Sequence, residues 1–296
     1  MTFPEQLDCP KILILDGAMG TELYRRGVDI SLPLWSASAL WENPDIVHEI
    51  HTDYIKAGAD IITTNTFRTD IRTFQKTGLS KQNARQATYT AVDLVKAAIK
   101  AAAPKRKIWI AGSMSPLEDC YHPELAPDYE SAVTEHKIKA SWLAESGVDF
   151  ILIETMNSYN EALAATRAAL LTGLPVITSF ILINKDKILN GDPIDSAYTK
   201  LKAEGITAFS INCTHHSIIS GFLNTYSHKI ELPLAAYANA GYYDIEKGWR
   251  ADPGFSPSKY SNIAKTWAKQ GIKIIGGCCG TNPLHIRHLW NSAEDA

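Results

Sequence analysis

Short β-branched runs alternate with amphipathic helical stretches eight times along the chain. The first run, residues 12–16, leads through Gly17-Ala18-Met19-Gly20 into a short helix that reaches Leu23. Asn43-Pro44 then signals a helix start, with Asn as cap and Pro in the first turn, and Gly58 signals its end. The second run spans 60–65, and an alanine-rich helix over about 80–102 stops before Pro104. The third and fourth runs, 107–113 and 149–154, precede helices predicted over 129–145 and 159–171. The fifth and sixth, 175–180 and 208–213, precede helices over 194–203 and 217–226. The seventh, 234–239, is followed by a loop rich in Gly, Tyr and Trp and a helix over 257–269. The eighth, 272–276, leads into a closing helix from Pro283.

The runs are apolar on both faces, the signature of a parallel sheet covered by helices. Eight such units in roughly 250 residues match a (β/α)₈ TIM barrel, read here as one domain over residues 1–296. An open doubly wound sheet is the alternative. It usually has fewer strands and often a glycine-rich phosphate turn, and the chain contains neither G-x-G-x-x-G nor a P-loop. No linker, low-complexity tract or internal sequence repeat interrupts the pattern.

Composition narrows the function. A net charge of −3 with scattered basic residues gives no electrostatic case for nucleic acid or an anionic membrane. No apolar run approaches the roughly 20 residues of a membrane helix. Residues 1–6 lack the basic-then-apolar order of a signal peptide, so the expected location is cytoplasmic. Thiols stay reduced there, and an odd count of five cysteines argues against a disulfide framework. Cys9 and Cys120 read as ordinary buried or exposed thiols.

In a barrel of this kind the chemistry sits at the C-terminal ends of the strands. Those tips carry Asp16, Thr64-Asn65, Glu154, Cys213, Asn239 and Cys278-Cys279. Thiolates are soft ligands that select zinc over magnesium or calcium, and three of them leave a fourth position open. Cys278 and Cys279 would face opposite ways in a regular strand. Gly276 and Gly277 are expected to let the chain leave strand geometry, so that both sulfurs turn inward. The spacing equally fits a buried Cys213 with one buried and one exposed thiol at 278–279. The turn from Asp16 to Thr21 suits either an anion at a helix start or a plain capping role. Glu154 ends an apolar strand and needs a cation, from a substrate ammonium or a neighbouring Arg or Lys. His215 and His216 read as metal ligands, an acid–base pair, or a polar helix start. The aromatic stretch from Tyr242 to Trp249 reads as a substrate cover or as rim filling. No Ser–His–Asp set or G-x-S-x-G elbow is present.

Six segments together resemble the homocysteine S-methyltransferase family: Asp16-Gly17-Ala18-Met19-Gly20-Thr21, Thr64-Asn65-Thr66-Phe67, Glu154-Thr155-Met156, Ile211-Asn212-Cys213, Asn239-Ala240-Gly241 and Gly276-Gly277-Cys278-Cys279-Gly280-Thr281. The resemblance implies a (β/α)₈ barrel with Zn²⁺ on Cys213, Cys278 and Cys279. It implies homocysteine held near Asp16, Gly17, Thr64 and Glu154. Asn239 matches a position that approaches the metal in some relatives. Zinc would hold the incoming thiol, whose free pKa is about 8.5, as a thiolate that attacks the donor methyl in line. The chain shows no appended folate, cobalamin or adenosylmethionine domain, nor the C-terminal extension of betaine-dependent relatives. It therefore looks like the compact members, which use S-methylmethionine or S-adenosylmethionine. Thr214-His215-His216 departs from any subgroup pattern. Rival readings are a non-catalytic zinc- or thiol-binding barrel, another donor such as a betaine, and another thiol acceptor. A zinc-water hydrolase is disfavoured, because such sites prefer histidine and carboxylate ligands.

Overall fold

The computed structural model describes residues 1–244, 248–252 and 254–294. The eight runs form eight parallel strands: β1 Leu13–Ile14, β2 Ile61–Thr63, β3 Trp109–Met114, β4 Phe150–Met156, β5 Val176–Phe180, β6 Ala208–His215, β7 Leu234–Asn239 and β8 Ile272–Gly277. Around the sheet they stand in the order β1-β8-β7-β6-β5-β4-β3-β2. The remaining seam, between β1 and β2, is joined by a parallel bridge of Leu15 with Ile61. Asp16 N donates to Ile61 O at 3.0 Å and Asp60 N to Ile14 O at 2.7 Å. The sheet is thus a nearly closed barrel, as expected, and the open alternative is excluded.

Eight helices clothe it: α1 Pro44–Ala57, α2 Lys81–Ala102, α3 Tyr129–Glu145, α4 Tyr159–Leu170, α5 Ile194–Glu204, α6 His216–Tyr226, α7 Pro257–Lys269 and α8 Pro283–Glu294. Their starts are set by side-chain caps. Ser80, Asp128, Ser158 and Ser256 each accept a backbone N–H of the first turn of α2, α3, α4 and α7. Asn282 Oδ1 does the same for α8, from Leu284 N at 3.0 Å. Asn43 departs from expectation, for its side chain makes no capping bond. Pro44 opens α1 instead, having no N–H that needs a partner. Gly58 ends α1 in the left-handed region, at φ 113°, where a Cβ would lie 2.2 Å from the Trp290 ring.

One element has no counterpart in the strand–helix alternation. Helix Phe3–Asp8, capped by a reciprocal Thr2–Glu5 pair, inserts Phe3 and Leu7 into the interior cluster of the barrel. Phe3 stacks on Phe150 at 4.0 Å between centroids and meets Trp109 edge-on at 5.3 Å. This end of the barrel is sealed by apolar contact. Inward positions then change character along the strands. Ile61, Trp109, Phe150 and Ile177 give way to Thr63, Ser113, Glu154 and Ser179. Buried polar groups are costly unless hydrogen-bonded, so a polar layer at one end marks where the fold spends stability on chemistry.

The stretch from Tyr242 to Trp249 is described only as a two-stranded ribbon, Gly241–Asp244 with Gly248–Ala251. Residues 245–247 and the aromatic side chains of the ribbon lie outside the described residues, and so does the expected cover. Among the described residues, no helix is long and apolar enough to cross a membrane.

Candidate metal centre and substrate cavity

The polar end of the barrel gathers three sulfurs. The Sγ atoms of Cys213, Cys278 and Cys279 all lie within 4.8 Å of one another, and Cys213 Sγ is 3.9 Å from Cys279 Sγ. Sulfurs on a tetrahedral zinc with bonds of about 2.3 Å would be ~3.8 Å apart. The spacing fits a metal site, and the alternative of one exposed thiol at 278–279 is not what the chain adopts. Cys213 itself takes the left-handed backbone, φ 50°, at the tip of β6. Such a conformation in a non-glycine residue is strained by roughly 1–3 kcal/mol and clusters at functional sites.

Gly276 and Gly277 play a different part from the one expected. Both remain in β8, and neither adopts positive φ. They are small because neighbours leave no room. A Cβ on Gly276 would lie 2.6 Å from Leu15 Cβ and 3.0 Å from two backbone oxygens, and one on Gly277 would lie 2.2 Å from Thr281 Oγ1. The turn that brings round the paired thiols comes after them, at Gly280, φ 82°, whose N–H donates to Thr21 Oγ1 at 2.9 Å. We expect Gly276→Ala to cost about 1–3 kcal/mol, because the clash is partly with backbone that cannot yield. Denaturant unfolding would show it together with weakened metal retention; unchanged stability and metal content would contradict the close approach of β8 to β1.

The three thiols interact electrostatically. Hydrogen bonds from Cys278 and Cys279 hold the Cys213 thiol well below its usual range, and the same contacts push those two thiols well above it. The thiolate form is thus favoured at Cys213 by its two thiol neighbours. The Asn239 amide also bonds toward Cys213, while its buried Oδ1 has no hydrogen-bond partner among the described residues. An orphaned acceptor beside three thiols is what a cation would satisfy. Tyr121 Oη stands 3.4 Å from Cys213 Sγ.

The sulfurs border a cavity of about 570 Å³. One wall holds Asp16, Gly17, Thr64 and Glu154, all as expected from the strand tips. Glu154 accepts from Ser113 Oγ at 2.5 Å and Tyr237 Oη at 3.3 Å, and no Arg or Lys among the described residues bonds it. Burial pushes its carboxyl up to about 7, and the nearby Cys213 charge adds to the rise, against the pull of the Ser113 bond. Asp16 is likewise raised by burial, although Thr63 N and Oγ1 donate to it at 2.9 and 2.8 Å. Two buried carboxylates held above their ordinary range favour an incoming cation. The backbone carrying Glu154 is pinned by Asn212, which accepts from Thr155 N at 2.9 Å and donates to Thr155 Oγ1 at 2.8 Å. Thr155 has φ 60°, an unfavourable conformation for a β-branched residue.

In the turn after β1, the Ala18 N–H goes to Thr281 Oγ1 at 3.3 Å. Gly17 is required there, since a Cβ would lie 2.8 Å from Tyr54 Oη. Thr64 Oγ1 bonds Thr66 Oγ1 at 2.7 Å and accepts from Ser113 N at 3.2 Å. Met19, Ile30, Trp35, Phe67 and Tyr121 also line the cavity and come from the segments that connect strands and helices. Cys120, read from the sequence as a buried or an exposed thiol, is buried and also lines the cavity. His215 and His216 join neither the cavity wall nor the three-sulfur group.

Comparison with known proteins agrees with this geometry. A sequence model of the homocysteine S-methyltransferase family matches residues 13–292. Homocysteine S-methyltransferase YbgG of Bacillus subtilis is 32% identical, covering 96% of this chain and 95% of that protein. A selenocysteine Se-methyltransferase of Brassica oleracea is 31% identical, over 93% and 87% of the two chains. The metallated form of the homocysteine methyltransferase MmuM from Escherichia coli superposes with a TM-score of 0.85 at 26% identity, covering 97% of this chain and 98% of that one. With three thiols converged on one end of a (β/α)₈ barrel and a family match across nearly its whole length, the chain belongs to the homocysteine S-methyltransferase family.

Proposed function

We propose that the protein transfers a methyl group from a sulfonium donor, S-methylmethionine or S-adenosylmethionine, to the thiol of homocysteine, giving methionine. In this reading Cys213, Cys278 and Cys279 hold Zn²⁺, and residues 1–296 act as one catalytic domain in a reducing compartment such as the cytoplasm. The observation that carries it is the convergence of three sulfurs beside two buried carboxylates in one cavity.

A bound zinc would keep the incoming homocysteine sulfur in its thiolate form at neutral pH. The chain supplies everything else. Glu154 takes the homocysteine ammonium, with Asp16 adding negative potential; pairing with that cation would return both carboxyls toward their ordinary range. Thr64 and the Gly17 turn border the same end of the substrate and fix its orientation. Asn239 supports the Cys213 thiolate through its amide. The apolar part of the lining excludes water, and the Trp35 ring, edge to face with Phe67 at 5.5 Å, borders the space a positively charged sulfonium would take, while Arg68 lies over the Phe67 ring. The donor then loses its methyl as a neutral sulfide departs, so no acid is needed at the leaving group. Holding the two sulfurs and the methyl carbon in line is the main contribution of the cavity.

A donor screen tests this. Purified protein, zinc and homocysteine are incubated with S-methylmethionine, S-adenosylmethionine or a betaine, and methionine is measured. Turnover with either sulfonium supports the proposal. Turnover confined to the betaine, or none with any donor, contradicts it. Selenocysteine replacing homocysteine in parallel separates the acceptors, since one relative is named for it.

A further inference from the structure

His215 and His216 serve neither the cavity nor the sulfur centre, yet they are not isolated. One nitrogen from each ring and one Asp252 carboxylate oxygen lie within 4.8 Å of one another. His215 Nε2 is 3.9 Å from Asp252 Oδ2. We propose that His215, His216 and Asp252 form a second metal site, a two-histidine, one-carboxylate face for a divalent transition ion such as Zn²⁺ or Co²⁺, separate from the thiolate centre.

His215 Nδ1 accepts from Ser217 N at 3.3 Å as the cap of α6 and lies 2.8 Å from Ser217 Oγ. Ligation through Nε2 requires the Nδ1-protonated tautomer, which exchanges the cap bond for donation to the Ser217 hydroxyl; metal-bound histidines are commonly oriented by such a bond from the other ring nitrogen. The His216 ring stacks on Phe255 at 5.2 Å and lies 4.2 Å from the His215 ring. Burial pushes His216 down to about 4, and the neighbouring His215 adds to the shift, so the ring is neutral at neutral pH as ligation requires. Asp252 Oδ1 accepts from Gly254 N at 2.8 Å, which leaves Oδ2 to the cluster.

The three ligands come from two segments that the barrel mouth brings together. His215 and His216 stand at the start of α6, and Asp252 follows the ribbon after β7, its N–H donating to Ala240 O at 3.1 Å. Ligand atoms about 2.0–2.1 Å from a tetrahedral zinc are ~3.4 Å apart. Rotations of half-buried side chains close the difference from the observed spacings of up to 4.8 Å. At 3.9 Å the His215–Asp252 contact is an ion pair only when the ring is protonated; a divalent ion would hold all three groups with both rings neutral. Imidazole with carboxylate selects zinc, cobalt, nickel or copper, whereas the sulfur centre is a purely thiolate site.

The test is a Co²⁺ titration of chelator-stripped full-length protein, followed by visible absorption and by metal content, in wild type, His216→Ala and Asp252→Asn. Wild type is expected to bind one equivalent more than either variant. The thiolate-to-cobalt charge-transfer band should be unchanged, and only the weaker visible bands should be lost. The readout is the difference between proteins, so it holds whether or not the thiolate centre fills. Asp252→Asn preserves size and the Gly254 contact, and far-UV circular dichroism checks its fold. Equal metal content in wild type and in a folded Asp252→Asn variant would overturn the site.

Discussion

Replacing Cys213, Cys278 or Cys279 by alanine is expected to cost more than about 100-fold in metal affinity and to remove most methyl transfer to homocysteine. The scale follows from metal sites generally, where losing even a group that only orients a ligand costs ~10–100-fold. Here the lost group is a ligand, and two sulfurs cannot make a three-coordinate base with an open position. The three variants should differ in stability rather than in chemistry. Cys278 packs against the interior cluster of the barrel, so its truncation also removes apolar contact. Cys213 sits at φ 50°, where alanine is as strained as cysteine, so its backbone gains nothing from the change. Metal analysis beside methionine formation measures the effect. Any variant that keeps stoichiometric tightly bound metal and full turnover is not missing a ligand, and that residue would drop out of the centre.

The second large effect is expected at Glu154. Its carboxylate is buried and, among the described residues, bonded by Ser113 and Tyr237 but by no Arg or Lys, and the proposed cationic partner is the substrate ammonium. Glu154→Ala should raise the homocysteine requirement by roughly 10- to 100-fold, the value of a hydrogen bond to a charged group at about 1.5–3 kcal/mol. The metal should stay bound, because Glu154 is not among the clustered ligand residues. Glu154→Gln keeps the shape and the Ser113 contact and removes the charge, so a loss seen in both variants is electrostatic. Homocysteine affinity unchanged in the pair would dispose of the ammonium contact while leaving the metal centre intact.

Much of this could be read along the chain. Strand and helix positions were legible because both faces of each parallel strand are buried and most helices start at a side-chain cap. The rim residues Asp16, Thr64, Glu154, Cys213, Asn239 and Cys278-Cys279 followed from one geometric rule about strand tips. What escaped depends on packing or on loops. Ser113, Thr63 and Tyr237 join the site because the inward period of two continues to the polar end, a signal present in the sequence but hidden among apolar runs. Trp35, Phe67 and Tyr121 reach the cavity from loops, which carry no periodicity. The role of Gly276 and Gly277 needed the third dimension, since nothing local says that Leu15 and Thr281 occupy the space a side chain would fill. Helix Phe3–Asp8 has a cap box and a Phe3–Leu7 spacing that are both visible, yet a plug at the barrel floor lies outside the eightfold alternation and so outside what that pattern predicts.

The most direct measurement is X-ray absorption at the zinc edge, on protein loaded with less than one equivalent so that the tighter site dominates. Without substrate, three sulfurs at about 2.3 Å and one lighter atom are expected. Adding homocysteine should replace the lighter atom with a fourth sulfur. A first shell of nitrogen and oxygen, or a sulfur count that homocysteine leaves unaltered, would contradict a thiolate centre with a corner open to the acceptor.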